Sequence, residues 1–290
     1  MSTMTVTSSV QAPMPARSTA VAGRAAFNAL LLRDLTVLKK NLGVFIARTL
    51  IQPFLLVFVF LYVFPQIGEG VGGSSAGGLS SFATILVAGV VGLSIMFQGI
   101  QAVALPLANE FGYTKEIEDR VLAPLPVSLV AIGKVVAGAI QGLIAAAIVF
   151  PIAAVVHARD VQPNLAVHWL LLLTLIPLTS IMTSSLGLVL GTRIAPRNIS
   201  IMFGFIVLPI TFLGGTYYPW TMLAAIKVGG FPWLQALVCV NPLIYVTEGF
   251  RAALTTAPHM PLYVIYPVLA AFCVLFLWAG CRGFHRRVIS

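Results

Sequence analysis

The sequence predicts an all-α, polytopic membrane protein with six transmembrane helices, and three observations lead there. Charged residues make up 9% of the 290-residue chain and hydrophobic ones 59%. A soluble domain carries about 25% charged residues, so this chain lacks the polar surface to cover a water-soluble globule. Apolar stretches reach the roughly 20 residues that a bilayer-spanning helix needs, at about 44–65, 82–108, 128–156, 167–191, 199–215 and 262–281. These runs do not alternate in polarity as barrel strands do, and in lipid only a helix or a closed barrel satisfies its own backbone.

The elements follow in order. Residues 1–24, rich in Ser, Thr, Ala and Pro, hold no apolar run that would make a signal peptide and read as a disordered cytoplasmic tail. Residues 25–290 read as a single membrane domain. It opens with "AAFNALLLRDLTVLKKNL", in which Phe27, Leu30, Leu31, Leu35, Leu38 and Leu42 recur at helical spacing. Arg33, Thr36, Lys39 and Lys40 fall largely between them. That pattern predicts an amphipathic helix lying in the membrane interface, with its lysines toward anionic headgroups.

Orientation comes from the basic residues. With the N-terminus inside, all of the 17 Lys and Arg except Arg159, Lys227 and Arg251 fall on the cytoplasmic side. The positive-inside rule then places both termini in the cytoplasm of a plasma or inner membrane. Arg48 and Lys134 lie just inside spans and are expected to snorkel back to the interface. The net charge of +9 follows this topology and is no nucleic-acid footprint, which needs a clustered basic face.

The region of about 216–261 is expected to be re-entrant. Its apolar pieces are too short to cross and are broken at Pro219, Pro232 and Pro242. Tyr217, Tyr218, Trp220, Trp233 and Tyr245 supply an aromatic belt at headgroup level. Glu248 and Arg251, three apart, share a helix face and can pair. They read either as a structural pair or as part of an outer gate.

Function classes narrow by absence. The sequence holds no G-x-x-x-x-G-K-[ST], no H-E-x-x-H and no G-x-S-x-G. Cys239, Cys273 and Cys281 have no metal-ligand spacing, and the four histidines are scattered near loops. The chain is therefore expected to be no enzyme and to hold no metal or cofactor. No ionisable side chain sits clearly at a span centre, which argues against a proton-coupled carrier. Gly138/Gly142 and Gly187/Gly191 are GxxxG pairs, suited to close helix packing within the chain or to a subunit interface. Gln52, Gln98, Gln101 and Gln141 can bond helices together or line a path.

One segment breaks the charge pattern. The connection of about 109–128, "NEFGYTKEIEDRVLAPLPVS", holds Glu110, Glu116, Glu118 and Asp119, half of the chain's eight acidic residues, on the side where basic residues prevail. Ile117, Val121 and Leu122 can share a face of a short helix before Pro124 and Pro126 end it. The segment reads as a solvated loop or as a docking helix for the basic cleft of a soluble partner.

The order of these pieces resembles the permease subunits of type-2 ATP-binding-cassette exporters, the group that includes daunorubicin-resistance and lipo-oligosaccharide or polysaccharide export permeases. The resemblance runs over about 25–290 and rests on three pieces: the amphipathic entry helix, the stretch Glu110 to Lys134, and "FLGGTYYP…NPLIYVTEGFR" from Phe212 to Arg251. The family pattern has a Gly-Thr-like pair after its Glu, whereas here Tyr113 stands between Gly112 and Thr114. The resemblance implies a complex of two permeases (a second copy or a paralogue) with two nucleotide-binding ATPase subunits, which would hold ATP and Mg. It implies that Glu110, Gly112, Tyr113, Thr114, Glu116, Glu118, Asp119 and Arg120 form the coupling segment. The cargo would be an amphiphile, such as a drug, lipid or lipid-linked glycan. Tyr217, Tyr218, Trp220 and Phe231, with Glu248 and Arg251, are then the candidate outer gate. The rival readings are a secondary transporter or channel without an ATPase and a structural membrane scaffold.

Overall fold

The computed structural model describes residues 19–67, 76–114, 125–155 and 163–289. Helix α1 (Thr19–Lys40) turns at Asn41 into α2 (Leu42–Phe58), which runs through a π-helical turn (Val59–Val63) to Gln66. Three long helices follow: α3 (Ala76–Asn109), α4 (Val127–Val155) and α5 (Trp169–Arg193). Then come the shorter α6 (Ile199–Phe212), α7 (Trp233–Val238) and α8 (Pro242–Leu254), and the closing α9 (Leu262–Ile289).

Among the described residues five helices, α2 to α5 and α9, are long and apolar enough to cross a membrane. The expected span at 199–215 differs. Helix α6 has 14 residues, about 21 Å at 1.5 Å per residue, against a hydrocarbon core of about 30 Å. What stops it is Gly214-Gly215. Gly215 takes φ +68°, a left-handed conformation that glycine adopts without strain. Gly214 lies so close to Leu243 that a Cβ there would collide with its side chain.

The helices share two ends. At the basic end α2 and α4 begin and α3, α5 and α9 finish, as the packing of Lys134 on Glu110 and of Arg287 on the α5 terminus shows. At the aromatic end α5 starts beside the close of α8. There Ala166 and His168 donate backbone N–H groups to Leu254 and Ala253 (2.9 and 2.7 Å).

Helices α3 and α5 are the centre. In α3, 83% of the apolar span is buried, against 11% in α9, which lies at the edge. Small residues let the two central helices touch. A Cβ on Gly187 would lie 2.7 Å from the Ile100 carbonyl oxygen, and one on Gly191 3.1 Å from the Ala104 Cα. Gly138 and Gly142 on α4 face Ser184 and Ser180 of α5 in the same way, at 2.9 Å each. Both GxxxG pairs thus pack within the chain, where small residues allow backbones close enough for strong van der Waals contact. Other buried hydroxyls of α3 and α5 bond back along their own helices. Ser94 donates to the Val90 carbonyl, Thr179 to Leu175 and Thr192 to Leu188, at 2.7–2.8 Å. Such bonds keep a hydroxyl satisfied where no water reaches.

Candidate functional site

The basic end builds one site around the chain that leaves α3. Residues Glu110–Thr114 form a π-helical turn, a widened turn common at functional positions. Glu110 points inward. Its carboxylate accepts from the buried Lys134 Nζ at 2.5 Å, and Asp34 of α1 lies 3.5 Å from the same ammonium. Lys134 therefore does not snorkel. Two carboxylates hold it inside, because a lone buried cation would be costly there.

The next two residues touch different helices. The Phe111 ring meets Phe284 of α9 edge-on at 5.7 Å, and the Arg287 guanidinium stacks on its other contact face at 4.6 Å. Arg287 also donates to the carbonyls of Gly191, Thr192 and Ile194 at 3.0–3.1 Å, closing the end of α5. Gly112 lies against the α5–α6 turn, where a Cβ would come within 2.5 Å of Pro196 Cβ. Tyr113 and Thr114 complete the π turn, and Glu116, Glu118, Asp119 and Arg120 lie outside the described residues. The sequence reading found Glu110 and Gly112 but not Asp34, Pro196, Phe284 or Arg287. A lone acid on the basic face of α1 was the available signal for Asp34; the other three carry none.

Beside this turn a cleft of about 580 Å³ opens between α1, α2, α3 and α4. Val37, Val44 and Leu105 line it together with Arg48, Gln98 and Gln141. Arg48 donates to Gln101 Oε1, Thr49 to Gln98 Oε1 at 3.1 Å, and Gln98 Nε2 to Gln141 Oε1 at 3.4 Å. Three of the intramembrane glutamines thus join α2, α3 and α4 and also face the cleft.

At the aromatic end the candidate gate residues separate into two groups. Glu248 and Arg251, both fully buried, form an ion pair on α8. The Glu248 carboxylate also accepts the backbone N–H of Trp220 and of Met260, each at 2.7 Å. Arg251 donates to the Gly215 carbonyl at 2.8 Å. One pair thus binds the end of α6, the Trp220 turn and the approach to α9 onto α8. Asn241 caps α8 through Leu243 N–H (2.9 Å) and reaches the Ile210 carbonyl of α6 (2.7 Å).

The aromatic residues lie outside this knot. Tyr217 packs by Phe60 at 5.7 Å, Tyr218 donates to the Phe212 carbonyl at 2.7 Å, and Trp220 Nε1 to the Gln235 carbonyl at 3.2 Å. Phe231 is exposed beside a two-residue turn in which Gly229 and Gly230 both take positive φ, as a type I′ turn requires.

Known proteins are similar to this chain in sequence. The family model described as ABC-2 type transporter matches residues 25–255. The inner membrane transport permease YadH of Escherichia coli strain K12 is 27% identical over 233 residues, covering 79% of this chain and 84% of the relative. The proteins of the same name from Escherichia coli O157:H7 and Shigella flexneri match to the same extent.

Proposed function

Since the chain belongs to the ABC-2 type transporter family, we propose that it is the membrane-spanning subunit of an exporter that moves an amphiphile out of the cytoplasm or inner leaflet. Members of the family are membrane transport permeases that work with an ATP-binding partner subunit. The motor would hold ATP and Mg, and the permease would pair with a second copy or a paralogue.

The observation that carries the coupling role is the anchoring of Glu110–Thr114. Five consecutive residues lead from the most buried of the long helices to contacts with Lys134 on α4, Pro196 after α5, and Phe284 and Arg287 on α9. A partner that grips the acidic segment just beyond Thr114 would pull on all of them together. The cleft supports the amphiphile, because its lining sets guanidinium and amide groups against Val and Leu side chains. The drug, lipid or lipid-linked glycan would enter there laterally and leave past Tyr217, Tyr218, Trp220 and Phe231.

In this reading the basic end is cytoplasmic. The chain enters α2 and leaves α9 at that end, which calls for an even number of crossings. The sixth would be made by α6 together with the irregular chain up to Leu262, and α1 would lie in the interface plane.

The test is charge reversal at Glu118 and Asp119. Glu118→Lys/Asp119→Lys is expected to abolish substrate-stimulated ATP hydrolysis by the complex while the permease still inserts and folds. Normal transport by this variant would sink the coupling role. Failure of any ATPase subunit to co-purify would favour a carrier or channel that runs without one.

A further inference from the structure

A second basic recess lies on the far side of the same end, between the ends of α5 and α9. It measures about 520 Å³, and its described lining includes Arg193, Arg282, Arg286 and Arg287 with Trp278 and, among the described residues, no carboxylate. Arg287 is engaged with the α5 carbonyls and Phe111. Arg193, Arg282 and Arg286 are exposed.

The spacing explains the shape. Trp278, Arg282 and Arg286 follow one another at intervals of four on α9, so they stack along one face. The Arg282 guanidinium sits 5.6 Å from the Trp278 ring. One turn further toward the membrane interior, on the same line, stand Val274, 69% exposed, and Ala270. The face therefore runs from smooth and apolar, through an indole, to two guanidiniums, with Arg193 of α5 beside them. That is the polarity profile of a phospholipid: acyl chain, glycerol level, phosphate. Tryptophan favours the interfacial level, and guanidinium matches phosphate in a bidentate fork.

We propose that this recess is a binding site for an anionic glycerophospholipid, whose phosphate sits among Arg193, Arg282 and Arg286 and whose chain lies along Trp278, Val274 and Ala270. The leaflet, though not the site, rests on the cytoplasmic orientation proposed above. The lipid would bridge the ends of α5 and α9, the helices that Arg287 already ties to the coupling turn.

The experiment uses the full chain purified in mild detergent, with native mass spectrometry and thermal unfolding as readouts. Phosphatidylglycerol should be retained and should raise the melting temperature, and phosphatidylcholine should do neither. Arg282→Gln/Arg286→Gln should bind phosphatidylglycerol about 30-fold more weakly, from about 1 kcal/mol for each arginine near an anionic surface. Arg282→Lys/Arg286→Lys should keep most of the affinity. Lys227→Gln, a charge loss at the aromatic end, should leave it unchanged. Equal loss in that control, equal retention of phosphatidylcholine, or protection by inorganic phosphate alone would overturn the site. So would an Arg286→Cys variant shielded from labelling by the ATPase subunit and not by lipid. Lipid binding is read without ATP, so its failure is separable from failure of the coupling role.

Discussion

Removing the Glu248 carboxylate should loosen the aromatic end of the protein as a unit. In Glu248→Ala the Arg251 guanidinium stays fully buried and keeps only its bond to the Gly215 carbonyl. The Trp220 and Met260 amides lose their acceptor in the same step. Breaking a buried pair by deleting one partner costs about 3–5 kcal/mol, and each stranded amide about 1–3 kcal/mol. The terms share one carboxylate and do not add fully, so the expected loss is about 4–6 kcal/mol. At about 2–4 °C per kcal/mol for a large domain, the melting temperature should fall by about 10 °C or more. Arg251→Met should cost less, because Glu248 keeps its two backbone donors. The double variant Glu248→Leu/Arg251→Met should lose less than the sum of the singles, by at least about 1.5 kcal/mol. The assay is thermal unfolding of the purified full chain in detergent, with transport measured in parallel. Single variants that melt within about 2 °C of the parent but no longer transport would refute the structural role and restore the pair to the gate.

Three further outcomes are expected. Gly187→Leu should prevent the α3–α5 contact and abolish recovery of folded permease. By contrast Gly204→Ala, on α6 with nothing within 4 Å, should leave recovery unchanged and gain up to about 1 kcal/mol from helix propensity; size-exclusion profiles compare the two. Lys134→Met should destabilise the junction of α1, α3 and α4 by about 3–5 kcal/mol, and Lys134→Met/Glu110→Gln should recover part of that loss in melting temperature. Gly112→Ala should push the coupling turn off Pro196 and lower stimulated ATP hydrolysis with little change in melting temperature, which steady-state phosphate release would show.

What was legible in the sequence is what has a period or a composition. The apolar runs predicted the five long helices, although α3 starts six residues before and α9 ends eight residues after the stretch read for it, and Pro219, Pro232 and Pro242 do open the short elements of the aromatic end. The length of α6 was not read correctly, because residues 199–213 are predominantly apolar and the helix ends at Gly214-Gly215, where Gly215 takes positive φ and Gly214 packs on Leu243. Charge was the least legible feature. Lys134 counts as one more cytoplasmic cation in any topology sum, yet it is enclosed by carboxylates that lie 100 and 24 positions away in the chain. A residue's side of the membrane follows from composition, while its partner depends on which helices meet, and small residues such as Gly99 and Gly187 decide that.

The same logic explains why a coupling element belongs after α3. An exposed helix at the edge, such as α9, could shift at its end and dissipate the motion into lipid. Helix α3 is enclosed along most of its length, so displacement at Glu110 is carried into the helices packed around it. Packed interiors pass strain on to their contacts, and three contacts leave this turn. The Glu110–Lys134 pair reaches α4 and, through Asp34, α1. Gly112 reaches the turn that starts α6. Phe111 reaches α9 and, through Arg287, the end of α5. Helix α6 ends against Asn241 and Leu243 at the start of α8, and α8 carries the Glu248–Arg251 knot. In the proposed mechanism a push on the acidic segment thus has a continuous packed route to the aromatic end through the crossing whose helix stops short at Phe212.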